Sequence, residues 1–119
     1  MQNNILHFGI MIVFLYQNIM PMRIIKKKAL VDFYEKHADA KIPLEEWYSK
    51  TKKAEWGSFS DVKKSFNNVD SVGNDNYVFN IKGNTYRIIV RTLFKIKTVY
   101  IRFIGTHQQY DGLDDCSKV

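Results

Sequence analysis

The chain has 119 residues, which is most simply one domain, large enough to bury a core without metal or disulfide support. Its single cysteine, Cys116, excludes a disulfide within the chain and fits a reducing cytoplasm. Eighteen Lys and Arg against 12 Asp and Glu give a net charge of +6, so an anionic partner is the first class of ligand to consider.

The beginning of the chain differs from the rest, because residues 1–21 contain no Asp, Glu, Lys or Arg. The apolar run at 10–16 is shorter than the roughly 20 residues that span a bilayer, and the segment has neither the basic start nor the cleavage site of a signal peptide. We predict a domain over 22–119 with translation starting at Met20 or Met22, so that residues 1–21 are an over-long start assignment. The alternative is an interfacial anchor, which would lack the usual cationic flank.

The first half of the domain is predicted to be helical. Apolar side chains recur at helical spacing in 26–39 and again in 43–54, where Pro43 suits a first helical turn. A third helical turn is predicted over 58–66 with Ser60 as its N-cap. The Asn-, Asp-, Gly- and Ser-rich stretch 67–76 is predicted to be a connecting loop. The residues assigned to the packed faces of these helices include His37, Trp47 and Trp56.

From Tyr77 onward the apolar residues alternate, which predicts strands. Gly83 and Asn84 separate two such runs, and a two-residue turn at this point defines one hairpin register. That register pairs only apolar or aromatic residues on one face, namely Ile81 with Tyr86, Phe79 with Ile88 and Tyr77 with Val90. On the other face it places Asn80 opposite Arg87.

A second hairpin is predicted to turn near Phe94–Lys95. Its apolar face would pair Val90 with Val99, Ile88 with Ile101 and Tyr86 with Phe103. Its other face would carry Arg87 beside Arg102 and Arg91 beside Thr98, with Asn80 and Lys82 on the neighbouring strand. A slip of one residue would drive these arginines into the core, so the apolar pattern predicts where they point.

The predicted fold class is therefore α+β. We expect a twisted antiparallel sheet of three to four strands, with residues 23–26 as a possible edge and two to three N-terminal helices on one face. The other face is expected to carry a cluster of cations. No Asp or Glu occurs on the strands between 77 and 104, so these cations have no partner nearby in the sequence.

Three arginines on adjacent strands suit the bidentate capture of phosphate, and these are Arg87, Arg91 and Arg102. The alternative is a solvated sheet face paired with acidic neighbours. RNA is favoured over duplex DNA because no recognition helix is evident and because Tyr100 offers a ring on which an unpaired base can stack. Asn80 and Lys82 are further candidate contacts to RNA.

The stretch THQQYD follows the last strand and supplies groups that transfer protons. A histidine can take or give a proton near neutral pH, and RNA carries its own nucleophile in the 2′-hydroxyl. His107 or Tyr110 would move the protons, Asp111 would orient the histidine or cap local structure, and the arginines would stabilise the developing charge. The alternative is that His107 and Tyr110 are surface loop residues, with Gly105 marking only a bend.

Other chemistries find little support in the sequence. We find no metal-ligand spacing, no glycine-rich phosphate loop and no GxSxG turn, so no metal or cofactor is expected. His37 is assigned to a helix face rather than to a metal. Asp114 and Asp115 are expected to be solvated.

Several stretches after Met22 resemble a known family. They are MRIIKKKALVDFYEKHADAK, EEWY, YVFNIKGNTYRIIVR and VYIRFIGTHQQYD. Together they resemble the HigB toxins of type II toxin–antitoxin modules, a RelE-like group of messenger-RNA interferases. The segments VFNIKGNTYRIIV and FIGTHQQYD are the most specific, and residues 1–21 are the one departure from the family pattern.

The resemblance implies a cytoplasmic endoribonuclease that cuts messenger RNA during translation on the ribosome, without a metal or cofactor. It also implies neutralisation by a HigA-type helix-turn-helix antitoxin, and it implies no membrane partner. Carried over residue by residue, the family's basic sheet face matches Arg87 and Arg102 and, less directly, Lys82 and Arg91, while His107 and Tyr110 match the end of the motif. The open alternatives are a non-catalytic RNA- or ribosome-binding module and a membrane-active peptide formed by residues 1–21.

Overall fold

A computed structural model describes residues 20–119, so the expectations for residues 1–19 lie outside the described part of the chain. The strands are β1 (Arg23–Ile25), β2 (Val69–Gly73), β3 (Asn76–Ile81), β4 (Tyr86–Leu93) and β5 (Thr98–Thr106). The α-helices are α1 (Lys27–Lys36), α2 (Lys41–Lys53), α3 (Phe59–Ser65) and α4 (His107–Asp111). Short 3₁₀ turns occupy Ala38–Ala40, Phe94–Ile96 and Cys116–Lys118.

The five strands form one mixed sheet in the order β1-β5-β4-β3-β2. The α+β class is confirmed, and so is the edge strand near 23–26, which pairs in parallel with β5. The predicted count of three to four strands was too low, because β2 lies inside the stretch predicted to be a loop. Val69 of β2 is buried opposite Phe79 of β3, and this pairing outweighs the weak strand propensity of the Asn- and Asp-rich neighbours.

The predicted helices are confirmed as α1, α2 and α3. Pro43 lies in the first turn of α2, where its missing N–H leaves no helical bond unmade. Helix α3 begins two residues earlier than the predicted N-cap implies, with Ser58 rather than Ser60 at the N-cap. Between Met20 and Val119 no helix combines the length and the apolar character needed to cross a bilayer.

The core lies between these helices and one face of the sheet. Leu44 and Trp47 of α2 are buried there together with Trp56 of the following connection, as expected for both tryptophans. The predicted register of the first hairpin is confirmed, since Ile81 pairs with Tyr86, Phe79 with Ile88 and Tyr77 with Val90. The sheet residues that complete this core are Tyr77, Phe79, Ile81, Tyr86, Ile88, Val90 and Val99.

The predicted register of the second hairpin was wrong, for two reasons. The connection is longer than a two-residue turn, since a 3₁₀ turn and Lys97, in the left-handed region at φ 53°, follow Leu93. This shifts the pairing by two residues, so Val90 pairs with Ile101 instead of Val99. A β-bulge between Ile89 and Val90 then shifts it by one more.

The bulge changes which side chains of β5 share a face. Ile88 now pairs with Ile104, and Tyr86 with Thr106, so both isoleucines of β5 face the helices. Arg102 lies at the bulge, Arg87 pairs with Gly105, and Arg91 pairs with Tyr100. The predicted neighbours Arg87 with Arg102 and Arg91 with Thr98 were therefore wrong.

Asp39 links the helical half to the first hairpin. Lys82 Nζ lies 2.6 Å from Asp39 Oδ2, and the Tyr86 hydroxyl donates to Asp39 Oδ1. These hydrogen bonds, that from Lys82 first and that from Tyr86 second, lower the pKa of the Asp39 carboxyl from its ordinary value near 3.8. The turn before α2 is thereby joined to the start of β4.

Replacing Leu44 by Ala is expected to destabilise the fold by about 2–5 kcal/mol, because the removed methyl groups leave a cavity between α2 and the sheet. Leu44 is fully buried at 0% exposure, whereas Ile42 in the same helical turn is 68% exposed. Urea denaturation followed by circular dichroism measures the effect. The matched control Ile42→Ala is expected to stay within about 0.5 kcal/mol of the parent, and equal losses in both variants would contradict the placement of the core.

Replacing Asp39 by Asn is expected to reduce the acid sensitivity of the fold. Because the folded-state pKa of Asp39 is lowered, its contribution is present above the unfolded value near 3.8 and is lost as pH falls through the folded pKa. Melting temperatures at neutral pH and below pH 3.8 should therefore differ less for Asp39→Asn than for the parent. Lys82→Gln keeps the Tyr86 bond and should give an intermediate difference. Equal differences for the parent and Asp39→Asn would contradict this role.

Candidate active site

The sheet face that points away from helices α1–α3 carries Arg87 and Arg91, and we call it the arginine face. Val78 and Ile89 lie on this face between the two arginines. They are buried, at 3% and 0% exposure, but they do not belong to the core that faces the helices. Helix α4 contacts β4 and β5, and the 3₁₀ turn Cys116–Lys118 contacts β2. The face is thus partly covered, whereas the sequence indicated an open one.

Arg87 is the most buried of the three arginines, at 9% exposure. Its guanidinium carbon lies 5.4 Å from the centre of the Tyr110 ring, and its Nη1 donates to the carbonyl of Asn84 at 3.3 Å. A cation held against an aromatic ring in a partly dry site interacts more strongly than one in water. Two residues proposed from the sequence, Arg87 and Tyr110, are therefore in contact.

Tyr110 is held in its neutral form. Burial and, second, a hydrogen bond with the Cys116 side chain raise the pKa of Tyr110 to about 12, although the Arg87 charge acts in the opposite direction. The hydroxyl therefore carries its proton at neutral pH and is available as a hydrogen-bond donor.

His107 begins helix α4, where the sequence indicated a loop. Thr106 caps this helix, since its hydroxyl accepts from Gln109 N at 3.1 Å while Gln109 Oε1 accepts from Thr106 N at 2.9 Å. This reciprocal pair is a capping box, and the T-x-x-Q spacing at 106–109 was the signal that sequence reasoning missed. The His107 N–H also donates to the Thr85 carbonyl at 3.0 Å, which fixes the start of α4 against the β3–β4 turn.

Gly105 has a steric role beyond the bend expected for it. A Cβ at this position would lie 2.5 Å from Phe103 Cζ and 2.8 Å from Gln109 Oε1. A side chain there would therefore push against the ring of Phe103 and against the glutamine that caps α4. The glycine allows α4 to pack closely on the end of β5.

His107 and Asp111 form the pair proposed from the sequence. His107 Nε2 lies 3.0 Å from Asp111 Oδ2 one helical turn away, and the side chains are 50% and 57% exposed. A carboxylate at this position orients the imidazole ring. One short helix thus presents an accessible histidine together with a tyrosine that contacts Arg87.

Lys82 and Asn80 are placed differently from the other candidates. Lys82 has no acidic partner nearby in the sequence, as expected, but it pairs with Asp39 from the distant helical half. Asn80 lies opposite Arg87 as predicted, and its Nδ2 is 3.4 Å from Asn84 Oδ1. Within residues 20–119, the three arginines form no ion pair with an Asp or Glu side chain.

Arg102 and Tyr100 lie further along the face, on either side of Ile101. Tyr100 is half-buried directly opposite Arg91, which places its ring beside a cation as expected. Arg102 is exposed, and its Nε donates to an oxygen of Val119 at 3.2 Å. The described part of the chain contains no group of three His, Cys, Asp or Glu side chains arranged to hold a metal ion.

The end of the chain docks on the sheet, which the sequence did not indicate. Asp114 and Asp115 are exposed as expected, but the following turn is held by two amides. Asn76 Nδ2 donates to the Cys116 carbonyl at 2.9 Å, and Asn74 Nδ2 donates to the Ser117 carbonyl at 3.0 Å. These bonds also set the position of the Cys116 side chain, which contacts Tyr110.

Comparison with known proteins adds to this geometry. A family model described as HigB_toxin, the RelE-like toxic component of a toxin–antitoxin system, matches residues 40–113, more than half of the chain. The protein called mRNA interferase toxin HigB of Escherichia coli K12 is 32% identical over 92 residues, covering 76% of this chain and 88% of that protein.

Two further relatives have similar coverage. The mRNA interferase HigB of Shigella flexneri is also 32% identical over 92 residues, 76% of this chain and 88% of that protein. The mRNA interferase HigB of Escherichia coli O6:H1 is 27% identical over 94 residues, with 77% of this chain and 91% of that protein covered. Residues 40–113, the range that the family model matches, contain strands β2 to β5 and helix α4. The chain belongs to the HigB family of RelE-like toxins of toxin–antitoxin systems.

Proposed function

We propose that this toxin is an endoribonuclease that cleaves messenger RNA in the cytoplasm, on translating ribosomes. The observation that carries the proposal is the placement of His107 and Tyr110 on helix α4, with the Tyr110 ring 5.4 Å from the Arg87 guanidinium. A cation, a proton donor and a histidine thereby share one end of the arginine face. The names of the relatives, mRNA interferases, support the same activity.

In the proposed reaction the RNA supplies the nucleophile. His107, oriented by Asp111, takes the proton of the 2′-hydroxyl, and the 2′-oxygen forms a bond to the adjacent phosphorus. The bond from phosphorus to the 5′-oxygen breaks, and Tyr110 gives that oxygen a proton. The products are a 2′,3′-cyclic phosphate and a 5′-hydroxyl end, and the proton balance is restored when His107 releases its proton and Tyr110 regains one.

Arg87 stabilises the extra negative charge on the phosphate in this scheme. Its position is held by the Asn84 carbonyl and by the Tyr110 ring, so little reorganisation is needed when the charge develops. Tyr110 carries its proton at neutral pH, as a donor must. The mechanism uses no metal ion.

The partner is an antitoxin, as membership of a toxin–antitoxin family implies, and we propose a helix-turn-helix protein of the HigA type. An antitoxin that neutralises this toxin must deny RNA access to the arginine face or displace α4. Either effect would change the access of RNA to Arg87, because the Tyr110 ring of α4 lies against its guanidinium group.

The purified chain is expected to cut messenger RNA on translating ribosomes in the presence of a chelator. His107→Ala should lower the cleavage rate by about 10²–10⁴-fold, the usual contribution of a positioned acid or base. Primer extension on the messenger measures the rate and the position of the cut. Gln108→Ala, an exposed neighbour on the same helix, is the matched control and should cut like the parent.

Three outcomes would contradict parts of the proposal. Inhibition of translation without any new RNA ends would favour a module that blocks translation by occupancy. Full cleavage by a His107→Ala, Tyr110→Phe double variant would reject the proton-transfer roles while leaving the nuclease assignment in place. Equal cleavage of free and translated messenger would reject the dependence on the ribosome.

A further inference from the structure

We infer that Arg91, Arg102 and Lys118 form a second phosphate-binding subsite for the RNA strand, separate from the reaction centre at Arg87. The inference rests on the proposed ribonuclease function and deepens it. It divides the arginine face into a part that carries out the chemistry and a part that holds the strand. Lys118 was not a candidate residue in the sequence analysis, and the family match ends before it, at residue 113.

A cavity of about 430 Å³ defines the subsite. Its walls carry three cationic side chains, Arg91, Arg102 and Lys118, and two amides, Asn74 and Asn76, and the remaining lining residues come from the end of the chain. No Asp or Glu side chain lines it, but Val119 at the end of the chain does, and an oxygen of Val119 accepts from Arg102 Nε at 3.2 Å. Three positive charges beside one terminal carboxylate leave an excess of positive charge that favours an anion, and the guanidinium groups suit a phosphate.

The position of Lys118 is determined by the two amides. Asn76 is buried at 2% exposure and donates to the Cys116 carbonyl, while Asn74 donates to the Ser117 carbonyl. These bonds place the tail turn along the edge of the cavity. The nearest carboxylate to the lysine is Asp115, 3.9 Å from Lys118 Nζ, in an exposed pair of the kind that contributes little.

The subsite is too far from Arg87 for one phosphate to occupy both. Arg87 and Arg91 are four residues apart on β4, which corresponds to about 13 Å along a strand. The register of the second hairpin, shifted by two residues at the connection and by one more at the bulge, moves Arg102 away from Arg87, and Arg102 lines the cavity together with Arg91. An RNA strand that follows β4 can meet both groups with two different phosphates.

Tyr100 favours single-stranded RNA over an acidic protein segment as the occupant. Its half-buried ring lies on the neighbouring strand directly opposite Arg91, on the same face of the sheet. A ring beside a cationic groove is the arrangement that holds unpaired bases by stacking and phosphates by charge. An acidic peptide would use the cations but would gain nothing specific from the ring.

The test uses a fluorescent RNA with 2′-O-methyl groups throughout, which lacks the nucleophile and therefore cannot be cut. Binding to the full chain is followed by anisotropy at several salt concentrations. The variant Arg91→Gln, Lys118→Gln should weaken binding and flatten the plot of log affinity against log salt by about 0.7, the contribution of one phosphate of a single strand. The single variant Lys118→Gln should show part of this loss, and it removes a side chain that is 78% exposed and thus does not support the fold.

The matched control is Lys53→Gln, Lys64→Gln, which removes the same charge from exposed positions on α2 and α3. It should keep the slope of the parent. In cleavage assays the Arg91, Lys118 variant should raise KM and leave kcat unchanged, because the reacting groups at Arg87 are intact.

Three results would overturn the inference. They are an unchanged salt slope in the Arg91, Lys118 variant, an equal change in the control, and loss of antitoxin binding with RNA binding unaffected. Failure of the proposed function can be told apart from failure of this inference. The first would appear as an absence of cleavage by the parent, whereas the second is measured separately, by the salt dependence of binding to uncleavable RNA.

Discussion

The burial of strand β4 on both faces is the constraint on which the rest of the structure depends. Ile88 and Val90 pack against the helices, and Ile89 is buried on the opposite face. Since successive side chains of a strand alternate, this packing leaves Arg87 and Arg91 no direction except the arginine face. The positions of the cations are thus a consequence of the apolar core. A shift in the register of β4 would disrupt the packing of the core first, and the site as a result.

The β-bulge at Ile89 and Val90 resolves a conflict in the sequence of β5. Ile101 and Ile104 both suit the core, yet they are three residues apart and would fall on opposite faces of a regular strand. One extra residue in β5 brings both to the helix side. The extra residue is Arg102, and the bulge adds one residue to the shift at the connection that already separates this arginine from Arg87.

The end of the chain links the reaction centre to the proposed second subsite. Helix α4 begins at a capping box and carries Tyr110 over Arg87, and the turn at Cys116–Lys118 then returns to β2 and β3. Cys116 contacts Tyr110, while Lys118 borders the cavity beside Arg91. A change in the docking of this segment would therefore act on both parts of the arginine face.

By itself the sequence determined the α+β class, three of the helices, the register of the first hairpin and the face to which Arg87 and Arg91 point, because these follow from local periodicity and a two-residue turn. The motif at 106–111 also placed His107, Tyr110 and Asp111 near the end of a strand. Only the tertiary structure decided the second register, strand β2, the pairing of Lys82 with Asp39 and the docking of the tail. Each of these depends on contacts between residues distant in the chain, or on a bulge whose position is set by packing on both faces of the sheet. A local sequence pattern does not predict such contacts.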